Sequence, residues 1–267
     1  MMYWFTCVDD SDQFFDLLKV AIYSVKKNTD LIPIVLCAGT SVSKRSILNS
    51  LGIKYVSVEV DEDIYFAKHF PGAICRLYIP NVAHDLGIYE TILYTDVDVL
   101  FISNPPRIKT PEVTASSYYP NVRPHNTVPI SECGHWLEMF GGGGACLNSG
   151  VMYLNPIKLM ETKAEFLNIC NRPTMNNSPA ESVYHYYNIN AMSYTLNYFA
   201  YWNNIWAGCD VRSLVKPIII HYHALKPNVT THPVEVMQYY TDEYESNRRI
   251  WLQYREKSLR HCMEWYN

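Results

Sequence analysis

The sequence predicts an α/β protein built on a mostly parallel, doubly wound sheet. Short apolar runs alternate with amphipathic helical stretches from the start of the chain, the pattern of a strand-helix-strand fold. Acidic residues close two of those runs, at Asp9-Asp10 and at Asp96-Val97-Asp98. The 267 residues suffice for one large domain, and a 48% hydrophobic composition supplies its core.

Residues 2–8 are a short apolar run that reads as a buried strand ending at Asp9 and Asp10. Phe14, Leu17, Leu18, Ala21, Ile22 and Val25 then recur at spacings of three and four, predicting an amphipathic helix over 11–27. A second strand follows at 32–37. Ser43 is placed to cap a helix running to Leu51, Gly52 to stop it, and 54–60 reads as a third strand. Strand, helix, strand, helix, strand makes the start of the sheet parallel. Residues 74–86 read as a helix that Pro80 kinks or ends, and 90–94 as a buried strand that delivers Asp96 and Asp98 at its end.

The stretch from Pro105 to Gly144 is rich in Pro, Asn and Gly, with a strand near 113–118. A strand over 145–154 closes at Asn155-Pro156, followed by helices over 156–170 and 179–192 and an apolar strand over 218–222. From Pro233 onward the chain is polar, aromatic and helix-compatible. The expected organisation is one domain over 1–232 with a helical extension, 233–267, packed on it.

A net charge of −4 with no basic run excludes a broad nucleic-acid surface, so any phosphate is handled locally, through a metal. The 22 tyrosines stack on sugars and bases but serve equally as half-buried packing, so none identifies a site singly. The eight cysteines form no CxxC pair and several lie in apolar runs, which fits a reducing, cytoplasmic compartment. The N-terminal run reaches Asp9-Asp10 without a basic n-region or long apolar stretch, so no signal peptide is expected. No apolar, uncharged stretch reaches the length of about 18 residues that a membrane span needs, which leaves at most peripheral association. The sequons at Asn176 and Asn228 then read as chance matches.

In open α/β sheets ligands gather beyond the carboxyl ends of the strands, where both acidic clusters fall. Asp96 and Asp98, alternating about Val97, put two carboxylates on one side of an extended chain and turn Val97 toward the core. A hard divalent cation takes such oxygens and keeps positions open for a diphosphate and water. Alone, the tripeptide reads more readily as a solvated strand end than as a metal site; its place directly after Thr91-Ile92-Leu93-Tyr94, and the company it keeps elsewhere in the chain, favour the metal. Asp9 and Asp10 also stand where they would cap the helix that follows.

Five segments in order carry a resemblance. They are Thr6-Cys7-Val8-Asp9-Asp10, Cys75-Arg76-Leu77, Leu93-Tyr94-Thr95-Asp96-Val97-Asp98-Val99, Leu147-Asn148-Ser149-Gly150-Val151-Met152, and His221-Tyr222-His223-Ala224-Leu225-Lys226-Pro227. Over about residues 1–230 the chain resembles retaining glycosyltransferases of family 8, the glycogenin and bacterial galactosyltransferase type. The resemblance implies a GT-A domain with a mixed, mostly parallel sheet. It further implies Mn²⁺-dependent transfer of a hexose, with retention, from a UDP-sugar donor to a saccharide or glycan acceptor.

Carried over by position, it implies that Asp9 and Asp10 meet the nucleoside and that Arg76 lies near the phosphates or the sugar. Asp96 and Asp98 would bind Mn²⁺, with Mg²⁺ the alternative, Val97 would lie along the donor, and His221 would complete the protein ligands. Two carboxylates and an imidazole suit manganese. His223 competes with His221, since the two share a strand face. Lys226 would contact the diphosphate, and Asn148, Ser149 and Gly150 would border the sugar ring. The Gly141 to Gly144 run is followed by no helix start bearing Lys-Ser/Thr, so it is no phosphate-cradling loop and reads either as a flexible approach to the donor pocket or as plain disorder.

Two departures stand out. The Asp-Gln pair that many members carry near the anomeric carbon is here Pro179-Ala180-Glu181-Ser182-Val183, which makes Glu181, with Asn148, the candidate catalytic pair. The Trp that follows Lys-Pro in the family is here Asn228. Among rivals, a sugar nucleotidyltransferase calls for a basic, Gly-rich loop after the first strand, where this chain has Asp9-Asp10-Ser11-Asp12. A non-catalytic sugar-binding module has no use for the acidic pair and His221, and a Mg²⁺ phosphohydrolase is the third alternative.

Overall fold

The computed structural model describes residues 1–61, 71–107, 113–117, 147–161, 218–222, 226–231 and 242–264, with the backbone alone at 113–117, 147–149, 242–243 and 261–264. The strands among them are β1 (Tyr3–Val8), β2 (Ile32–Ala38), β3 (Lys54–Val58), β4 (Ile92–Thr95), β5 (Val99–Phe101), β6 (Val113–Ser117), β7 (Leu147–Leu154) and β8 (Ile219–His221). The helices are α1 (Asp12–Asn28), α2 (Val42–Ser50), α3 (Pro71–Cys75), α4 (Ile79–Asp85), α5 (Pro156–Glu161) and α6 (Asp242–Glu264). The predicted helix over 179–192 lies outside the described residues, as does the expected continuation of α5 to 170.

Six strands form the central sheet in the order β3-β2-β1-β4-β7-β6. β3, β2, β1 and β4 are parallel, whereas β7 runs antiparallel to both β4 and β6. The chain moves outward from β1 through β2 to β3, then returns to the other flank of β1 as β4. This reversal creates a switch point between the carboxyl ends of β1 and β4, the place where such sheets bind ligands.

Alternation along the strands makes two cores. Trp4, Val8, Val35, Leu93 and Tyr153 face one side of the sheet, and Phe5, Leu36, Ile92, Tyr94 and Met152 the other. Each such side chain, buried fully, contributes about 1.5–3 kcal/mol. On the first face α1 buries Phe15, Leu18, Ile22 and Val25. Phe14, expected on this apolar face, is instead 37% exposed, and the buried position belongs to Phe15. Ser11 caps the helix, its Oγ accepting from Phe14 N, so Asp9 and Asp10 are not the cap.

The cap residue of α2 is Ser41 rather than Ser43, and Asp10 Oδ1 accepts its N–H at 2.8 Å. Gly52, at φ +63°, ends this helical stretch in a left-handed turn that a side chain would strain. Pro80 does not kink a single helix. Residues Arg76–Tyr78 form a 3₁₀ turn between α3 and α4, and Pro80 sits in the first turn of α4, where its missing N–H has no intrahelical partner to lose.

β5 was not anticipated. It pairs with β8 in a small antiparallel sheet, with Val99 opposite His221. Its outer edge is closed by α1: Ser24 Oγ accepts from Phe101 N at 3.1 Å, and Asn28 Nδ2 donates to Phe101 O at 2.6 Å. α6 packs across α1 through the buried Trp251, and Arg255 Nε donates to Asp16 Oδ2 at 2.9 Å. The start of α6 braces the segment after β8. Tyr222 Oη donates to Asn247 O at 2.7 Å, and Arg248 Nε donates to Pro227 O at 3.2 Å. Among the described residues no helix is long and apolar enough to cross a membrane.

Candidate active site

A pocket opens at the β1/β4 switch point. β1 contributes Cys7 and Val8, followed by Asp9; α3 and its 3₁₀ turn contribute Gly72, Ala73 and Arg76; β4 contributes Tyr94, followed by Asp96, Val97 and Asp98. Phe14 and Lys226 complete the lining.

Three potential ligands meet where Asp96 and Asp98 line it. One ligand atom from each of Asp96, Asp98 and His221 lies within 4.8 Å of the others. His221 Nε2 is 3.3 Å from Asp98 Oδ1 and 4.0 Å from Asp96 Oδ2. The β5–β8 register produces this meeting, since β5 begins directly after Asp98 and β8 ends on His221. Tyr222 N donates to Asp98 O at 2.9 Å, which continues the pairing past the strand end.

The site is deeply placed and charged. Asp98 and His221 are 3% and 1% exposed, and Arg76 is 6% exposed, so each of these buried polar groups needs a partner. Lys226 Nζ pairs with Asp98 Oδ2, and Arg76 Nη2 lies 3.2 Å from Asp96 Oδ1. Burial alone raises the Asp98 carboxyl, but the Lys226 ammonium and the His221 imidazole outweigh it and hold Asp98 far below the usual carboxylate range. It is therefore ionised at any pH the protein would meet. Tyr94, raised well above the usual phenol value by burial, stays protonated and donates to Asp96 Oδ1 at 2.5 Å.

These residues fit a divalent cation. Asp98 Oδ1 is buried and accepts no hydrogen bond among the described residues, so an ion would give that lone pair a partner. Two carboxylates with one imidazole make a mixed oxygen and nitrogen donor set for a divalent cation.

The structure brings together most of the residues singled out from the sequence. Asp9, Arg76, Asp96, Val97, Asp98 and Lys226 line one pocket, and His221 stands among its carboxylates. Asp9 Oδ1 accepts from Ser11 N at 2.9 Å, which turns the strand end into the helix. Asp10 is not among the lining residues; it ties β1 to α2 through Ser41 and Lys44. Gly150 reaches the site through its carbonyl, which accepts from Asp96 N at 2.9 Å. The side chains of Asn148 and Ser149 lie outside the described residues, as do Glu181, His223 and the Gly141 to Gly144 run. Sequence reasoning missed Tyr94, Phe14 and Gly72. Tyr94 lies inside the quoted motif but looked like strand packing, and Phe14 looked like helix core.

No family profile and no curated protein matches this sequence. Solved structures do. The bifunctional glycosyltransferase WbbM superposes with a TM-score of 0.60 at 14% identity, over 85% of this chain and 46% of its own, so this chain spans about half of WbbM. The galactosyltransferase LgtC, in complex with donor and acceptor sugar analogs, gives a TM-score of 0.56 at 19% identity, over 90% of this chain and 100% of its own. The glycosyltransferase GlyE of Streptococcus pneumoniae TIGR4 gives 0.55 at 14% identity, over 99% of this chain and 63% of its own. At such identities the likeness is one of architecture, and in architecture this chain has the GT-A fold of these glycosyltransferases.

Proposed function

We propose that this chain is a Mn²⁺-dependent glycosyltransferase that moves a hexose from a UDP-sugar to a saccharide or glycan acceptor with retention of anomeric configuration. One observation carries the reading: Asp96 and Asp98 line one pocket at the β1/β4 switch point together with the cations Arg76 and Lys226, and His221 meets the two carboxylates as a third side chain able to ligate an ion. The fold supports it, since LgtC shares that fold and its structure holds donor and acceptor sugar analogs.

Breaking the bond from the anomeric carbon to the phosphate oxygen builds negative charge on the diphosphate and positive character on the ring. A cation held by Asp96, Asp98 and His221 supplies Lewis-acid stabilisation of that leaving group. Lys226, at the pocket wall beside Asp98, and Arg76, beside Asp96, bring fixed positive charge to the same oxygens. Asp9 receives the nucleoside at the end of β1. Val97 lies along the donor, and Asn148, Ser149 and Gly150 border the sugar. Glu181 supplies a carboxylate beneath the ring if transfer runs by double displacement; front-face entry of the acceptor hydroxyl needs none. Residues 1–232 form the catalytic domain in this reading, and 233–267 the extension. The free, buried Cys7, Cys37 and Cys75 support a cytoplasmic setting.

The test is a panel of nucleotide sugars incubated with the protein in Mn²⁺ or in EDTA, with products read by mass spectrometry. The expected result is Mn²⁺-dependent release of UDP and free hexose from a UDP-hexose. Cleavage between the two phosphates would identify a phosphohydrolase instead and overturn the reading, as would a panel left intact in Mn²⁺.

A further inference from the structure

Asp96 is held by more than its place in the chain. Its N–H donates to Gly150 O at 2.9 Å, and its carbonyl accepts at 2.9 Å from Thr95 Oγ1, which in turn accepts from the indole N–H of Trp4 at 2.8 Å. With the backbone so fixed, the two carboxylate oxygens have different surroundings. Oδ1 accepts from the Tyr94 hydroxyl at 2.5 Å and has Arg76 Nη2 at 3.2 Å. Oδ2 faces His221 Nε2 at 4.0 Å, across the three-ligand cluster. The Tyr94 ring is 1% exposed and lies beneath the Arg76 guanidinium, 5.3 Å from ring centre to Cζ, so the hydroxyl has one position to occupy.

We propose that Tyr94 is a positioning residue of the cation site: its hydroxyl retains Asp96 Oδ1, so that Asp96 ligates the ion through Oδ2 alone. The inference rests on the metal reading given above. Donors behind a ligand fix its orientation and are felt in metal affinity although they never touch the ion. Restricting a carboxylate to one oxygen also bears on ion choice. Ca²⁺ takes six to eight oxygens and readily accepts both oxygens of one carboxylate, whereas a smaller ion is served by one. Tyr94 thus favours Mn²⁺ over Ca²⁺ without contacting either.

The test is Tyr94→Phe in the full chain, which keeps the ring and removes one oxygen. Mn²⁺ affinity is read from the electron paramagnetic resonance signal of the free ion, Ca²⁺ affinity by competition, and folding by melting in EDTA. The expected result is an Mn²⁺ affinity lowered about tenfold, a smaller loss for Ca²⁺, and a melting temperature close to that of the unmodified chain. An unchanged Mn²⁺ affinity, or an equal loss for both ions, overturns the proposal. An unmodified chain that binds no Mn²⁺ removes the metal reading itself, and this inference with it.

Discussion

His221 Nε2 stands 3.3 Å from Asp98 Oδ1 because β5 and β8 pair with Val99 opposite His221. The three residues between the end of β4 at Thr95 and the start of β5 at Val99 are Asp96-Val97-Asp98, so the link between the two strands is the acidic motif itself. Any shift of the β5–β8 register would carry the imidazole away from the carboxylates. The hydrogen bond from Tyr222 N to Asp98 O pins that register beside the site.

His221→Ala removes one of the three candidate ligand atoms and, among the described residues, leaves Lys226 as the ion-pair partner of Asp98. Mn²⁺ affinity, measured by calorimetry, falls by at least about 100-fold, more than the loss of an outer-shell partner costs.

Asp98 makes stability depend on pH. Its carboxyl lies below its unfolded value of about 3.9, held there against burial by Lys226 and His221. The folded chain therefore binds fewer protons at this group than the unfolded chain. The stabilisation is complete above about pH 5 and is lost as pH falls through about 4 toward the folded value. In EDTA, the stability gap between the unmodified chain and Asp98→Asn, measured by urea unfolding, narrows as pH falls from about 5 to about 3.

Gly72 lies against Asp9. A Cβ at this position would come within 3.1 Å of Asp9 N and 3.2 Å of Asp9 Oδ2, so Gly72→Ala shifts Asp9 by a few tenths of an ångström at the pocket edge. UDP affinity falls roughly fivefold, about 1 kcal/mol, with little change in melting temperature. Isothermal titration in Mn²⁺ checks the first value and calorimetric scanning the second.

Trp251 joins α6 to the core and is fully buried. Trp251→Ala lowers the free energy of unfolding by about 3–5 kcal/mol, read by urea denaturation. Because α6 also braces the Lys226-Pro227 backbone, the same variant weakens UDP binding.

Much of this was legible in local pattern. The run Thr91-Ile92-Leu93-Tyr94 announced a buried strand, and the alternation of Asp96 and Asp98 at its end announced paired carboxylates. What escaped depended on distant partners. Val99–Phe101 is too short to read as a strand until its partner, far along the chain, is paired with it. The bury-or-expose choice between Phe14 and Phe15 turns on the exact rotation of α1, which three- and four-residue spacing does not resolve. Asp10 looked equivalent to Asp9, but the approach of Ser41 and Lys44 commits it to α2. Pro80 was read as a helix breaker because its use at the start of α4 depends on the 3₁₀ turn before it, the same turn that aims Arg76 inward. Arg76 itself was singled out only through the family resemblance, and it is the fold that places its guanidinium beside Asp96.

The most direct test of the central claim is isothermal titration of UDP into the protein in Mn²⁺ and again in EDTA. UDP binding that is present in Mn²⁺ and weakened at least about tenfold in EDTA, a difference of about 1.4 kcal/mol, is the result predicted by a cation site at Asp96, Asp98 and His221. UDP that fails to bind in Mn²⁺, or binds equally well in EDTA, would contradict it.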